Sequence, residues 1–134
     1  MRTIVGYHSS ATVLLIPRPI LHVGTIAQAA MRGGKHLHRV EFALEGRMPR
    51  MRDHGDWSRR SVIRHARAGG AIVYLNRHEG IPLEEFEAAR AMTNIDTISD
   101  AMFKRLIPSA EDSWIILDPD IIQSIEEVED PKIG

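Results

Sequence analysis

Short, mainly apolar runs that each lead into a polar cluster are the main pattern along this chain of 134 residues. Such runs at 3–6, 19–21 and 71–73 are typical of strands. The clusters that follow are residues 7–10 (Tyr-His-Ser-Ser), 21–25 (Leu-His-Val-Gly-Thr) and 74–80 (Tyr-Leu-Asn-Arg-His-Glu-Gly). Because functional residues favour loops held by a rigid scaffold, we expect a sheet to carry the three clusters to one edge.

The rest of the pattern mixes strands and helices without regular alternation. Alternating apolar and polar residues predict a strand over 36–44, and Thr25 is a good cap for a helix over 26–32 that Gly33 and Gly34 end. Further helices are predicted over 57–68, 82–92 and 96–106, and further strands over 113–117 and 121–125. This order favours an α+β fold over a doubly wound sheet. We expect one domain over 1–126 and a frayed acidic tail over 127–134.

Composition narrows the classes of protein modestly. The formal net charge is −1, so the whole molecule has no electrostatic preference for nucleic acid or an anionic membrane. The absence of cysteine excludes disulfides and thiolate metal sites within this sequence. The first residues lack the apolar core of a signal peptide, and no apolar run approaches membrane-spanning length. A cytoplasmic protein without a membrane segment is therefore expected.

The charges are unevenly spread along the chain. Residues 111–130 are acidic and contain no Lys or Arg. Seven arginines lie between positions 47 and 67: Arg47, Arg50, Arg52, Arg59, Arg60, Arg64 and Arg67. Two interpretations stay open, a solvated face with a polar tail or a basic edge that meets phosphates or an acidic partner.

Each polar cluster has two interpretations, one as a functional site and one as a purely structural feature. His8 with Ser10 can hydrogen-bond a ribose or simply end a strand. Gly24 permits a positive φ or a close ligand approach, and Thr25 opens a helix whose free N–H groups favour anionic or carbonyl ligands, although an ordinary strand, turn and capped helix has the same pattern. Glu79 lies at the mouth of the most apolar strand, where a carboxylate suits stabilisation of a sugar cation or is a surface turn acid.

Histidine supplies the main competing chemistry. His36 and His38 are two residues apart on one face of a strand and have the chemistry to ligate zinc or nickel. No acidic residue at ligand spacing completes such a site, so no metal is expected. The sequence also lacks the Gly-x-Ser-x-Gly elbow of a serine hydrolase.

Taken in order, the clusters resemble the motifs of the ADP-ribosyltransferase superfamily. Residues 7–10 look like its Tyr-His-Gly-Thr/Ser opening, and residues 21–30 look like its second motif, in which a strand runs into a helix with small residues. Residues 70–80 are similar to the Gly-x-x-Gly-Ile-Val-Tyr-x-Asn-x-x-Glu segment of phage-encoded members. Residues 114–125 are similar to their closing strand pair.

The resemblance implies a small split-sheet fold with peripheral helices, NAD as cofactor, and transfer of ADP-ribose to a macromolecule. The layout is similar to that of the anti-CRISPR ADP-ribosyltransferases, which implies a phage protein and a protein target such as a CRISPR effector subunit. The resemblance assigns Glu79 as the catalytic residue. It assigns cofactor binding to His8, Ser10, His22, Gly24, Thr25, Tyr74 and Asn76.

The sequence departs from the family at two places. Ser9 stands where many members have Gly, and residues 80–112 separate Glu79 from the closing strand, so Glu111 is a rival for the catalytic acid. Two other classes stay open: a non-enzymatic protein-binding inhibitor on the same fold, and a domain that binds or modifies nucleic acid through the Arg-rich segment.

Overall fold

The computed structural model describes residues 2–14, 16–46, 48–63 and 70–129. Helices and strands are mixed along these residues, which confirms the α+β class. The strands are β1 (Arg2–Ser10), β2 (Leu21–Val23), β3 (His36–Leu44), β4 (Arg50–Met51), β5 (Ala71–Leu75), β6 (Asp112–Ile116) and β7 (Ile122–Val128). The helices are α1 (Ile26–Arg32), α2 (Arg59–Ile63), α3 (Leu83–Met92) and α4 (Asp100–Leu106), and a 3-10 turn spans Pro119–Ile121.

The strands form two sheets. The three-stranded sheet has the order β1-β3-β7 and is antiparallel, and the four-stranded sheet has the order β2-β6-β5-β4, with only β4 and β5 parallel. A bridge between Tyr7 and Gly24 joins the sheets, with N–H to O distances of 2.7 and 3.0 Å. The ends of β1 and β2, which carry the first two polar clusters, are therefore neighbours.

The main core lies where apolar side chains of the two sheets meet. Val40 and Phe42 of β3 pack in one cluster with Leu21 of β2 and Ile116 of β6, and all four are fully buried. A second cluster lies under α3 and α4 and includes Leu75, the last residue of β5. The five residues of β5 are all buried, which explains its continuous apolar run.

Local signals place several boundaries. Thr25 and Gln28 form a capping box at the start of α1, and β3 has the predicted bounds. The helix predicted from residue 96 begins instead at Asp100, because the Ser99 hydroxyl accepts from the N–H of Met102 and caps it there.

The predicted C-terminal tail and the predicted helix over 57–68 differ from the structure in different ways. Strand β7 runs to Val128, which pairs with Leu37, so residues 127 and 128 are paired rather than frayed. Of the helix predicted over 57–68, α2 covers Arg59–Ile63, and positions 64–68 fall outside the described residues. Among the helices described, none has the length and apolarity needed to cross a membrane.

Candidate functional site

A cavity of about 350 Å³ opens beside the end of β5. Trp57 and Tyr74 stack in its wall, with ring centroids 4.4 Å apart and ring planes at 25°. The lining residues are His22, Arg32, Asp53, Gly55, Trp57, Tyr74, Asn76, His78 and Glu79. Members of the second and third polar clusters thus meet in one cleft, here called the Glu79 cavity.

The carboxylate of Glu79 is held from two sides. Asn76 Nδ2 donates to Glu79 Oε1 at 2.9 Å, and Arg32 Nε lies 3.1 Å from Oε1 and 2.9 Å from Oε2. The Asn76 Oδ1 atom accepts from the backbone N–H groups of His78 and Glu79, which fixes the turn after β5. The side chains of Arg32 and Glu79 are 26% and 25% exposed, so the acid is reachable from the cleft.

Buried side chains behind Glu79 form a continuous hydrogen-bonded chain, here called the Gln28 network. Gln28 Oε1 accepts from Ser113 Oγ at 2.6 Å and from the Thr25 N–H at 2.9 Å, and its Nε2 donates to the carbonyl of Glu111 at 3.0 Å. Asn76 Nδ2 also donates to Ser113 Oγ at 3.0 Å. Because Gln28, Asn76 and Ser113 are at most 2% exposed, these bonds set where Glu79 sits.

Two ionisable side chains of the cavity, His22 and Tyr74, are held in neutral forms. Burial, aided by the charge of Arg32, lowers the pKa of His22 to about 4. Burial raises the pKa of Tyr74 to about 12. At neutral pH the cavity therefore presents a neutral imidazole, a protonated phenol and the ion pair of Arg32 with Glu79.

His8 does not line the Glu79 cavity, although it contacts the backbone of His22, which does. Its Nδ1 is 2.7 Å from the carbonyl of His22, so Nδ1 carries the proton and donates. The other ring nitrogen, Nε2, must then be an acceptor, and it receives a bond from Arg18 Nη2 at 3.3 Å. Burial and the nearby arginines lower the pKa of His8, which agrees with this neutral tautomer.

The predicted site residues divide into two groups. His22, Tyr74, Asn76 and Glu79 line the Glu79 cavity, whereas the other four predicted residues do not. The Ser10 hydroxyl bonds to the carbonyl of Thr12. The hydroxyl of Ser10 and the imidazole of His8 therefore both have hydrogen-bond partners within the protein.

Gly24 and Thr25 serve the Gln28 network. A Cβ atom on Gly24 would overlap Gln28 Oε1, so the close approach expected at this glycine is to a side chain of the protein itself. The Thr25 hydroxyl accepts from the Gln28 N–H at 3.1 Å as the cap of α1. These two residues act on the cavity through Gln28.

The rival acid, Glu111, does not line the cavity. Its carboxylate is 3.0 Å from Lys104 Nζ, and its side chain is 57% exposed. Only its backbone takes part in the site, because the Glu111 carbonyl accepts from both Gln28 Nε2 and the Asn76 N–H. Of the two candidate acids, Glu79 is therefore the one whose carboxylate lines the cavity.

Arg32 and Asp53 are among the residues of the cleft that sequence reasoning missed. Arg32 follows Thr25 and Gln28 at helical spacing, so the three share one face of α1, and this spacing was a usable signal. Asp53 had no such signal. It is buried, and it accepts from Trp57 Nε1 at 2.8 Å and from the Arg77 N–H at 2.9 Å.

The lining of the Glu79 cavity combines a carboxylate, an arginine and an aromatic wall. Such groups can contact the hydroxyl, anionic and flat ring groups of a ligand. Within the described part of the chain, no group of three or more His, Asp or Glu side chains is placed to hold a metal ion. His36 is paired with Glu127, and His38 Nε2 accepts from the Leu14 N–H.

No protein-family model, curated protein or solved structure matches this chain.

Proposed function

We propose that this protein transfers ADP-ribose from NAD to a macromolecular target, with Glu79 as the catalytic residue. The observation that supports this most is the Glu79 carboxylate, fixed by Asn76 in a cleft beside a neutral His22 and the stacked rings of Trp57 and Tyr74. NAD would supply a glycosidic bond whose cleavage releases nicotinamide. Glu79 would then place a fixed negative charge beside the cationic sugar carbon, where preorganised electrostatics act strongly.

The surrounding residues support that role of Glu79. Asn76 holds one carboxylate oxygen through Nδ2 while Ser113 holds Asn76, so the carboxylate plane is set before a ligand arrives. The rings of Trp57 and Tyr74 offer a flat apolar surface for nicotinamide or the sugar. His22, neutral at pH 7, can hydrogen-bond a ribose hydroxyl without adding positive charge.

Arg32 favours a second candidate, a binding domain on the same fold without catalysis. Its guanidinium contacts both oxygens of Glu79, so it neutralises the charge on which the proposed chemistry depends. Catalysis requires Arg32 to release one carboxylate oxygen of Glu79, so that this oxygen can accept from a ribose hydroxyl. If the ion pair persists in the complex, Glu79 serves only to shape the site.

We propose a protein target, with a CRISPR effector subunit suggested by the resemblance, in the cytoplasm. The basic segment gives little support for nucleic acid among its described arginines: Arg50 is paired with Asp112, and Arg52 donates to the carbonyl of Asp96. Arg59 and Arg60 are exposed. Arg47, Arg64 and Arg67 lie outside the described residues.

Two measurements test the proposal. Titration with NAD should shift the NMR signals of His22, Tyr74 and Glu79, and incubation with labelled NAD and host lysate should transfer label to a protein. No perturbation at millimolar NAD would refute the NAD assignment. Binding without any transfer would favour the non-catalytic domain.

The acid is tested with a matched pair of variants. Glu79→Gln is nearly isosteric and should keep the fold and NAD binding, yet lose transfer by roughly two orders of magnitude or more. Glu111→Gln alters an exposed side chain outside the cleft and should leave transfer unchanged. Full activity of Glu79→Gln together with loss in Glu111→Gln would reverse the assignment.

A further inference from the structure

A second groove lies beside the Glu79 cavity and shares His22 and Trp57 with it. It has a volume of about 340 Å³, and its other lining residues include Arg18, Ile20 and Arg59. Because two side chains line both spaces, a single extended ligand can occupy them together. We call this second space the arginine groove.

The charge of the arginine groove is one-sided. Arg18 and Arg59 line it, and no carboxylate does among the described residues. Neither arginine forms an ion pair with a described carboxylate. Arg18 is instead bonded to the neutral imidazole of His8. Two guanidinium groups beside one groove attract an anion, and their planar donors suit phosphate oxygens.

Arg18 is linked to His8 by a hydrogen bond of 3.3 Å from Nη2 to the imidazole Nε2. The imidazole donates from Nδ1 to the His22 carbonyl at 2.7 Å, so its Nε2 is turned toward Arg18 Nη2. His8 is 8% exposed, which leaves its ring little freedom to turn. The first polar cluster therefore reaches the groove through an arginine rather than by direct contact.

Backbone strain marks the same segment. Ile20, two residues after Arg18, has a φ of 57°, and it has the one positive φ among the described residues that are not glycine. A β-branched residue in this region is costly, and such strain persists where the surrounding structure determines it, often at ligand sites. The strained residue lines the arginine groove.

We infer that the arginine groove is a phosphate-binding site in which Arg18 and Arg59 hold the diphosphate of a nucleotide, with His8 as the positioning residue for Arg18. The diphosphate identity rests on the proposed function, because a dinucleotide with its ribose at Glu79 extends past His22 and Trp57. In this arrangement His8 orients Arg18. It does not itself hold a ribose, which is the bond that the first polar cluster had suggested for it.

The first test is a calorimetric titration of the full chain with inorganic pyrophosphate at low salt. Arg18→Gln and Arg59→Gln should each weaken binding about tenfold, since each removes a charge-assisted contact. Arg60→Gln is the matched control, because Arg60 is exposed next to Arg59 but does not line the groove. Absence of pyrophosphate binding, or equal loss in Arg60→Gln, would overturn the inference.

The positioning role is tested by a double-variant cycle. His8→Phe should weaken pyrophosphate binding about as much as Arg18→Gln, and the two changes together should cost no more than one of them. A merely structural effect of His8 would add to that of Arg18. Should His8→Phe fail to fold, the arginine variants still decide whether the groove binds phosphate.

The same variants separate this inference from the proposed function. Arginine-dependent pyrophosphate binding without transfer from NAD supports the phosphate site and refutes the enzyme. Transfer from NAD with an unchanged KM in Arg18→Gln and Arg59→Gln refutes the phosphate site and supports the enzyme.

Discussion

The two sheets satisfy their buried polar side chains in different ways. In the three-stranded sheet, His38 Nε2 accepts from the Leu14 N–H at 2.8 Å, and its Nδ1 faces the carbonyl of His8 at 3.3 Å. At the end of the four-stranded sheet, Asn76 and Ser113 bond to each other and to side chains on neighbouring elements. Both ring nitrogens of His38 thus face backbone groups, whereas Asn76 and Ser113 are also bonded to other side chains.

That difference separates a structural role from a positioning role. Hydrogen bonds between two side chains are a minority in folded proteins. Several connected ones around a single carboxylate therefore point to a site whose geometry matters. A backbone-bonded side chain stabilises the fold wherever it lies. A side chain in the Gln28 network also determines the orientation of Glu79.

Acid is the strongest way to disturb both regions at once, because each depends on a neutral imidazole. The pKa of His22 falls from 6.5 to about 4 on folding, so the unfolded chain binds more protons between these values. Stability is full above pH 6.5 and is lost as the pH falls, by on the order of 3 kcal/mol at pH 4 from His22 alone. His8 adds in the same direction, since its pKa is also lowered by burial.

Denaturant unfolding at pH values from 7 to 4.5 measures this slope. The variant His22→Asn should flatten the slope, because it removes the group that charges. An unchanged slope in that variant would mean that His22 is not the imidazole kept neutral by folding.

Gly24→Ala tests how tightly the Gln28 network is packed. The added methyl would overlap Gln28 Oε1 and lie 2.9 Å from Ser113 Oγ, so we expect a loss of about 1–3 kcal/mol in the free energy of unfolding. In a Gln28→Ala background the main clash is gone, and the cost of Gly24→Ala should shrink. Equal costs in both backgrounds, measured by urea titration, would contradict the contact.

The smallest expected effect comes from two serines that sharpen the comparison between the regions. Ser9 Oγ bonds to the carbonyls of Ala29 and Gly33, while Ser113 Oγ bonds to Gln28 and Asn76. Replacing either serine by Ala should cost about 1 kcal/mol of stability. Only Ser113→Ala should also lower transfer from NAD, because Asn76 loses its support; equal activity of the two variants would remove the distinction.

The sequence predicted those elements whose signals are local. The bounds of β3 follow from the alternation over His36–Leu44, and the start of α1 follows from Thr25 as a cap. The start of α4 was wrong by four residues, since Asn94 draws the Asp96 N–H into a turn and leaves Ser99 to cap the helix. Competing hydrogen-bond acceptors a few residues apart are hard to rank without their geometry.

The candidate site was predictable only as far as the clusters themselves. Glu79 and His22 line one cavity, so the expected meeting of clusters is confirmed for the second and third clusters. It was wrong for the first cluster, which lies on the other sheet and contributes no residue to the cavity lining. The long-range contacts of the site were not foreseeable from spacing: Arg32 is 47 positions from Glu79 in the chain, and Gln28 lies 85 positions from Ser113. Such pairs depend on how the sheets pack and leave no periodic pattern.

The carbonyl of Glu111, which receives both Gln28 Nε2 and the Asn76 N–H, has a consequence for how this protein can evolve. Every amino acid offers the same carbonyl, so the side chain at this position is free to drift among relatives. The length of the loop before β6 has no such freedom, because one inserted residue would carry the carbonyl away from both donors. An alignment of related sequences would therefore show varied residue types at this position and a constant length of the loop before β6.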